Sequence, residues 1–151
     1  MVAPGESYSE TFGAEADAVP TVRAAISEFA RDAGAKGERL EAIRLATSEA
    51  VTNAVLHAYA GASGPVQVTA SYVPGELWVL ISDSGTGLRL RTGHTGLGLG
   101  LVLIAQLADE FEILSRGTGG TELRMLFKLR SREAPDSDQP RGSVSSAFAP
   151  T

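Results

Sequence analysis

Glu49, Asn53 and His57 recur at intervals of four within the segment Ala46 to Tyr59. On a helix they would line one ridge while Val51, Ala54, Val55 and Ala58 turn elsewhere. The ridge presents an acid, a neutral amide and an imidazole together. Two glycine clusters follow: Asp83-Ser84-Gly85-Thr86-Gly87 after an apolar run, and Gly96-Leu97-Gly98-Leu99-Gly100-Leu101 opening a further helix. Phosphates bind where backbone amides converge and no Cβ intrudes, and a helix N-terminus adds unpaired donors and the positive end of its dipole. Gly96, Gly98 and Gly100 offer that arrangement. Between Asp83 and Asp109 the chain carries Arg89, Arg91 and His94 and no acid, which makes a cationic segment jointed by Gly85, Gly87 and Gly93. Such a segment suits a lid over a triphosphate.

Taken singly, each feature has an ordinary structural explanation. Charged and amide residues at helical spacing usually form a solvated face, a carboxylate after a strand is usually an exposed turn residue, and glycines often serve close helix packing. Their order carries more weight. A helix with Glu49 and Asn53 precedes a strand ending in Asp-x-Gly-x-Gly, then a Gly-x-Gly-x-Gly helix start, then Gly119-Gly120-Thr121 entering a last strand.

The whole chain sets bounds on this reading. Its 151 residues suit one domain large enough to bury a core without staples. Cysteine is absent, which excludes disulfides, thiolate catalysis and zinc-thiolate sites and suits a reducing cytoplasm. The net charge of −5 comes without a basic stripe, against direct nucleic-acid binding. No apolar stretch approaches the roughly 20 residues of a membrane helix, and Met1 to Glu10 lacks the form of a signal peptide. The expectation is a soluble, cytoplasmic protein.

Periodicity places the elements that must hold these residues. Ser7 to Phe12 reads as a first strand. Asp17 is a candidate cap for a helix with Val22, Ile26, Phe29 and Ala30 on its apolar face, stopped by Gly34. A second helix from Gly37-Glu38 to Tyr59 would bury Leu40, Ile43, Ala46, Ala50, Val51, Ala54 and Val55. Val66 to Tyr72 and Leu77 to Ile81 form a hairpin about Pro74-Gly75, with Asp83 just past its end. Leu97 to Ala108 is helical, and Asp109 to Arg116 and Gly120 to Leu129 form a second hairpin. The sum is an α+β, two-layer α/β sandwich: a mixed, mostly antiparallel sheet of about five strands covered on one face by three helices. Residues 1–6 are expected to be a flexible N-terminus and 7–130 the domain. Residues 131–151 hold almost nothing that could bury and read as a disordered tail.

The ordered motifs resemble the nucleotide site of the GHKL ATPases and kinases, whose ATP-binding domain is the Bergerat fold. Within that superfamily, Ser48-Glu49-Ala50-Val51-Thr52-Asn53-Ala54-Val55-Leu56-His57-Ala58-Tyr59 is similar to the bacterial anti-sigma-factor serine/threonine kinases, over about residues 7 to 129. The resemblance implies ATP and Mg2+ as ligands, Glu49 as general base and Asn53 as the magnesium ligand. It implies Asp83 as acceptor for the exocyclic amine of adenine, with Gly85 and Gly87 beneath the ring and Thr121 supporting the aspartate. The lid residues Arg89, Arg91 and His94, and Gly96, Leu97, Gly98, Leu99 and Gly100 fall on the phosphate side, while His57 either approaches the phosphates from the same ridge or is a satisfied histidine at the helix end. The implied partners are a sigma factor, held inactive, and an anti-anti-sigma protein of the STAS-domain type, phosphorylated on serine. A homodimer is also implied, and Arg23 falls where these kinases carry an arginine available to partners. Two departures stand out: the segment from Asp83 to Gly98 is short for the family, and the basic residue before the final glycines is replaced by Gly96 and Leu97. They leave open a nucleotide-binding switch or anti-sigma module with little kinase activity, or a small ATP hydrolase.

Overall fold

Val66, Val68 and Ala70 leave one side of their strand and Gln67, Thr69 and Ser71 the other, and this alternation decides which side of the sheet is covered. The computed structural model describes residues 3, 5–59, 63–85, 97–117 and 119–129. Along the chain run β1 (Ser7–Gly13), α1 (Ala18–Asp32), α2 (Gly37–His57), β2 (Pro65–Val73), β3 (Glu76–Asp83), α3 (Leu97–Leu107), β4 (Glu110–Ser115) and β5 (Thr121–Lys128).

The strands form one sheet in the order β1-β2-β3-β5-β4. All four pairings are antiparallel, where the sequence suggested a mixed sheet. The last strand therefore lies inside the sheet, between β3 and β4. Its register places Tyr8, Ala70, Val79, Met125 and Phe111 in one row across all five strands. That row and its neighbours Val66, Val68, Leu77, Ile81, Leu123 and Phe127 meet Val22 and Ile26 of α1, Ile43, Ala50 and Val51 of α2, and Ile104 of α3. Full burial of each large aliphatic or aromatic side chain here stabilises by about 1.5–3 kcal/mol. On the other face exposed Ser9 and Gln67 and half-buried Thr69 are linked by hydroxyl and amide contacts of 3.3 Å.

Element ends differ from the sequence reading in three places. Asp17 occupies the N-cap position of α1 but makes no side-chain cap bond; its φ of −72° and ψ of −14° are already helical, and its carbonyl instead accepts from the Thr21 hydroxyl at 3.2 Å. α2 ends at His57, not Tyr59, because Tyr59 is engaged beyond the helix. Asp83 is the last residue of β3, not a residue past it, and stands opposite Val66 of β2. Gly34 does end α1: at φ +106° it lets the Ala35 amide reach the Ala30 carbonyl at 2.9 Å.

Candidate functional site

Glu49 and Asn53 sit one turn apart on the side of α2 that faces α3, and α3 packs against α2 close to them because residue 100 is glycine. A Cβ added there would lie 3.2 Å from both Glu49 Oε2 and Asn53 Nδ2, and 3.3 Å from Asn53 Oδ1. Carboxylate, amide and first turn of α3 are thus in contact through a cradle that any side chain would fill. The amides of that first turn have no intrahelical acceptors and form a ready anion site.

Asn53 is buried at 5 % exposure, and its Nδ2 finds no hydrogen-bond partner among the described residues. A buried amide without a partner is destabilising by roughly 1–3 kcal/mol, so Asn53 Nδ2 stands open to a partner from outside the described residues. Rotation about the terminal bond exchanges nitrogen and oxygen, so the same group can present a hard oxygen donor. Such a donor fits magnesium. Among the described residues no group of three or more His, Cys, Asp or Glu is placed to hold a metal.

Asp83 lies at the other end of the site, 4 % exposed. Its Oδ1 accepts from the Gly85 amide at 3.1 Å, and its carboxylate also accepts from the backbone amide of buried Thr121. Burial raises its pKa, opposed by those two amides and by the positive charge of Arg116. The turn after Asp83 closes on the end of α2: a Cβ on Gly85 would fall on the Ala58 carbonyl and lie 3.0 Å from the Tyr59 ring. Gly120, at φ +99°, is held so close to the Asp83 carbonyl that a Cβ would overlap it and come within 2.9 Å of Ser84 Cα.

His57 is half-buried in the last turn of α2. The backbone of Leu97, Gly98 and Leu99 forms the first turn of α3. Gly87, Arg89, Arg91, His94 and Gly96 lie outside the described residues, and with them the proposed lid. Arg23 is half-buried on α1, and its carbonyl accepts from the Ser27 hydroxyl at 2.5 Å.

Two residues that sequence reasoning passed over belong to this region. The Tyr59 hydroxyl accepts from the Ser84 amide at 3.0 Å and donates to the Pro65 carbonyl, tying the end of α2 to β2 and to the exit from β3. Arg116 Nη1 donates to the Asp83 carbonyl at 3.4 Å. The only sequence signals were a tyrosine two residues past the ridge and an arginine just before a glycine-rich turn. Neither spacing reveals its partner.

The chain matches the model of the histidine kinase-like ATPase domain over residues 12–127. It is similar to the anti-sigma F factor of Clostridium acetobutylicum, 28 % identical over 118 residues, covering 71 % of this chain and 82 % of the relative. It is 30 % identical over 121 residues to the anti-sigma F factor of Clostridium perfringens strain SM101, covering 72 % and 86 %. Similarity to the serine-protein kinase RsbW of Listeria innocua is 33 % over 107 residues, covering 60 % and 68 %. Among solved structures, the crystal structure of the RsbU and RsbW domains of Rv1364c from Mycobacterium tuberculosis matches at a TM-score of 0.67 and 30 % identity. That match covers 85 % of this chain and 34 % of the other, so the chain spans about a third of that longer one. A five-stranded antiparallel sheet carrying α2, the Asp83 turn and the glycine-started α3, in a chain so matched, is a member of the histidine kinase-like ATPase family.

Proposed function

We propose that the protein is a cytoplasmic, ATP-binding anti-sigma factor with serine kinase activity, which sequesters a sigma factor and phosphorylates a serine of a STAS-type anti-anti-sigma partner. The observation that carries this reading is the missing Cβ at Gly100, which seats the first turn of α3 on the Glu49 carboxylate and the buried Asn53 amide. Binding of a phosphate chain there needs a helix N-terminus and a polar partner, and α3 begins beside the buried Asn53 amide. Retention of an acid beside them favours transfer over binding alone, because binding has no need of a base.

In this reading Asp83 accepts from the exocyclic amine of adenine. A buried acceptor disfavours guanine, whose corresponding group is a carbonyl. Glu49 takes the proton from the attacking serine hydroxyl as its oxygen bonds to the terminal phosphorus and ADP leaves. Asn53 would hold magnesium, which supplies charge neutralisation to the phosphates when bound. The first-turn amides of α3 orient the phosphate chain. Arg89, Arg91 and His94 are proposed to close over it.

Similarity to proteins named anti-sigma F factor and serine-protein kinase supports the partner assignment. The test is transfer of labelled phosphate from ATP to a STAS-type protein, measured beside free phosphate release. Partner labelling is expected, lowered about a hundred- to ten-thousand-fold in Glu49→Ala. Phosphate release without labelling would make the protein a hydrolase, and nucleotide binding without either would make it a switch.

A further inference from the structure

The β4–β5 turn holds a cation that the chemistry above does not use. Arg116 is the first residue after β4, and its main chain is pinned on both sides: its amide donates to the Gly120 carbonyl at 3.0 Å and its carbonyl accepts from the Gly119 amide at 3.0 Å. Gly119 and Gly120 take φ values of +94° and +99°, a conformation that side chains resist. They fold the turn back over β5 so that Gly120 packs under the Asp83 carbonyl. From that anchored position the Arg116 side chain reaches across to the same carbonyl at 3.4 Å. Arg39, Arg44 and Arg124 each pair with a carboxylate, whereas Arg116 makes no salt bridge among the described residues. Its charge is left to act on Asp83.

We infer that Arg116 is a positioning residue for the adenine-reading carboxylate, holding the Asp83 main chain from the hairpin side and supplying the positive charge that keeps the buried acid an acceptor. The inference rests on the reading of Asp83 proposed above. A neutral carboxyl carries a proton on one oxygen, so it meets the adenine amine as a poorer acceptor. Burial favours that neutral form; the Gly85 and Thr121 amides oppose it most, and the positive charge of Arg116 adds to them. The other ionisable groups on the elements around Asp83 are few. Tyr59 at the end of α2 is committed to Ser84 and Pro65. Glu49 and His57 lie on α2. Glu122 of β5 engages Ser82 and Arg124, and both of those alternate to the opposite sheet face from Asp83. Among the described residues Arg116 is thus the cation placed to favour the ionised Asp83.

The test compares the native chain with Arg116→Ala and Arg116→Lys in two measurements. The first follows the Asp83 carboxyl carbon by NMR against pH without nucleotide, with Asp83→Asn identifying the signal. In Arg116→Ala the midpoint is expected to move up, and Arg116→Lys should return most of it. The second measures ADP binding by calorimetry across the same range. Affinity in Arg116→Ala should begin to fall at a correspondingly higher pH and converge with the native protein well above it. A loss equal at every pH would make Arg116 merely structural and overturn the proposal. So would an unmoved Asp83 midpoint. If the native chain binds adenine and guanine nucleotides alike, the reading of Asp83 itself fails, and the nucleotide-free titration separates that outcome from an absent Arg116 effect.

Discussion

Asp83 is a carboxylate kept where a carboxylate is uncomfortable, and its stability signature follows from that. Its pKa is raised by burial, so the folded chain binds the proton more tightly than the unfolded one. The penalty of the buried charge is fully present above the folded pKa and is relieved as pH falls toward the ordinary value of 3.8. Asp83→Asn is therefore expected to raise the melting temperature of the nucleotide-free protein near neutral pH, with the gain shrinking as pH falls, while abolishing preference for adenine over guanine. Melting curves from about pH 8 to about pH 4 check the sign; a gain that grew on acidification would contradict it. Gly100 makes the complementary case. Gly100→Ala would push a methyl to 3.2 Å from Glu49 Oε2 and Asn53 Nδ2, closer than most side-chain contacts. Alanine is the better helix former by about 1 kcal/mol, so the fold should tolerate it while nucleotide affinity falls, on the order of tenfold or more. Titration calorimetry beside a denaturation curve separates the two effects.

At the scale of elements, the three helices and five strands were legible because each carries its own period: two in Val66 to Tyr72, close to four in Val22, Ile26 and Ala30. The ridge of Glu49, Asn53 and His57 was legible for the same reason. What periodicity could not carry was pairing across the chain. Tyr59 meets Ser84 from 25 residues away and Arg116 meets Asp83 from 33, and no local pattern announces either. Nor does spacing tell that β5 inserts between β3 and β4, which is what brings Thr121 beside Asp83. Asp17 illustrates the opposite error, a good capping residue whose backbone is already helical. The element-level joint can be tested at Tyr59. Tyr59→Phe keeps the ring against Gly85 but removes the acceptor for the Ser84 amide. The expected cost is about 1–2 kcal/mol in denaturant unfolding, with faster hydrogen exchange at Ser84 and little change at mid-strand amides such as Val79. Equal protection of Ser84 in both proteins would mean that the Tyr59 hydroxyl is not what orders the turn.

Across the whole molecule the site and the core occupy different ends of the same strands. Thr121 opens β5 beside Asp83, while Phe127 lies six residues on, roughly 20 Å along a strand, fully buried opposite Leu77. The helices cover both ends, so the sandwich that buries Phe127 also carries the proposed nucleotide site, without Phe127 touching Asp83, Asn53 or Gly100 in any described contact. Among the described residues no helix is long and apolar enough to cross a membrane. Adenine nucleotide with magnesium, binding only the folded chain, should add about 2.7 kcal/mol at one hundred times its Kd, and guanine nucleotide much less. Phe127→Ala should remove about 3–5 kcal/mol and lower the melting temperature with and without ligand, yet leave the added increment unchanged. Equality of that increment in the two proteins is the quantity to measure, because it is set by Kd and ligand concentration alone. A markedly smaller increment in Phe127→Ala, under conditions where the chain is still folded, would mean that the far end of the core shapes the site after all.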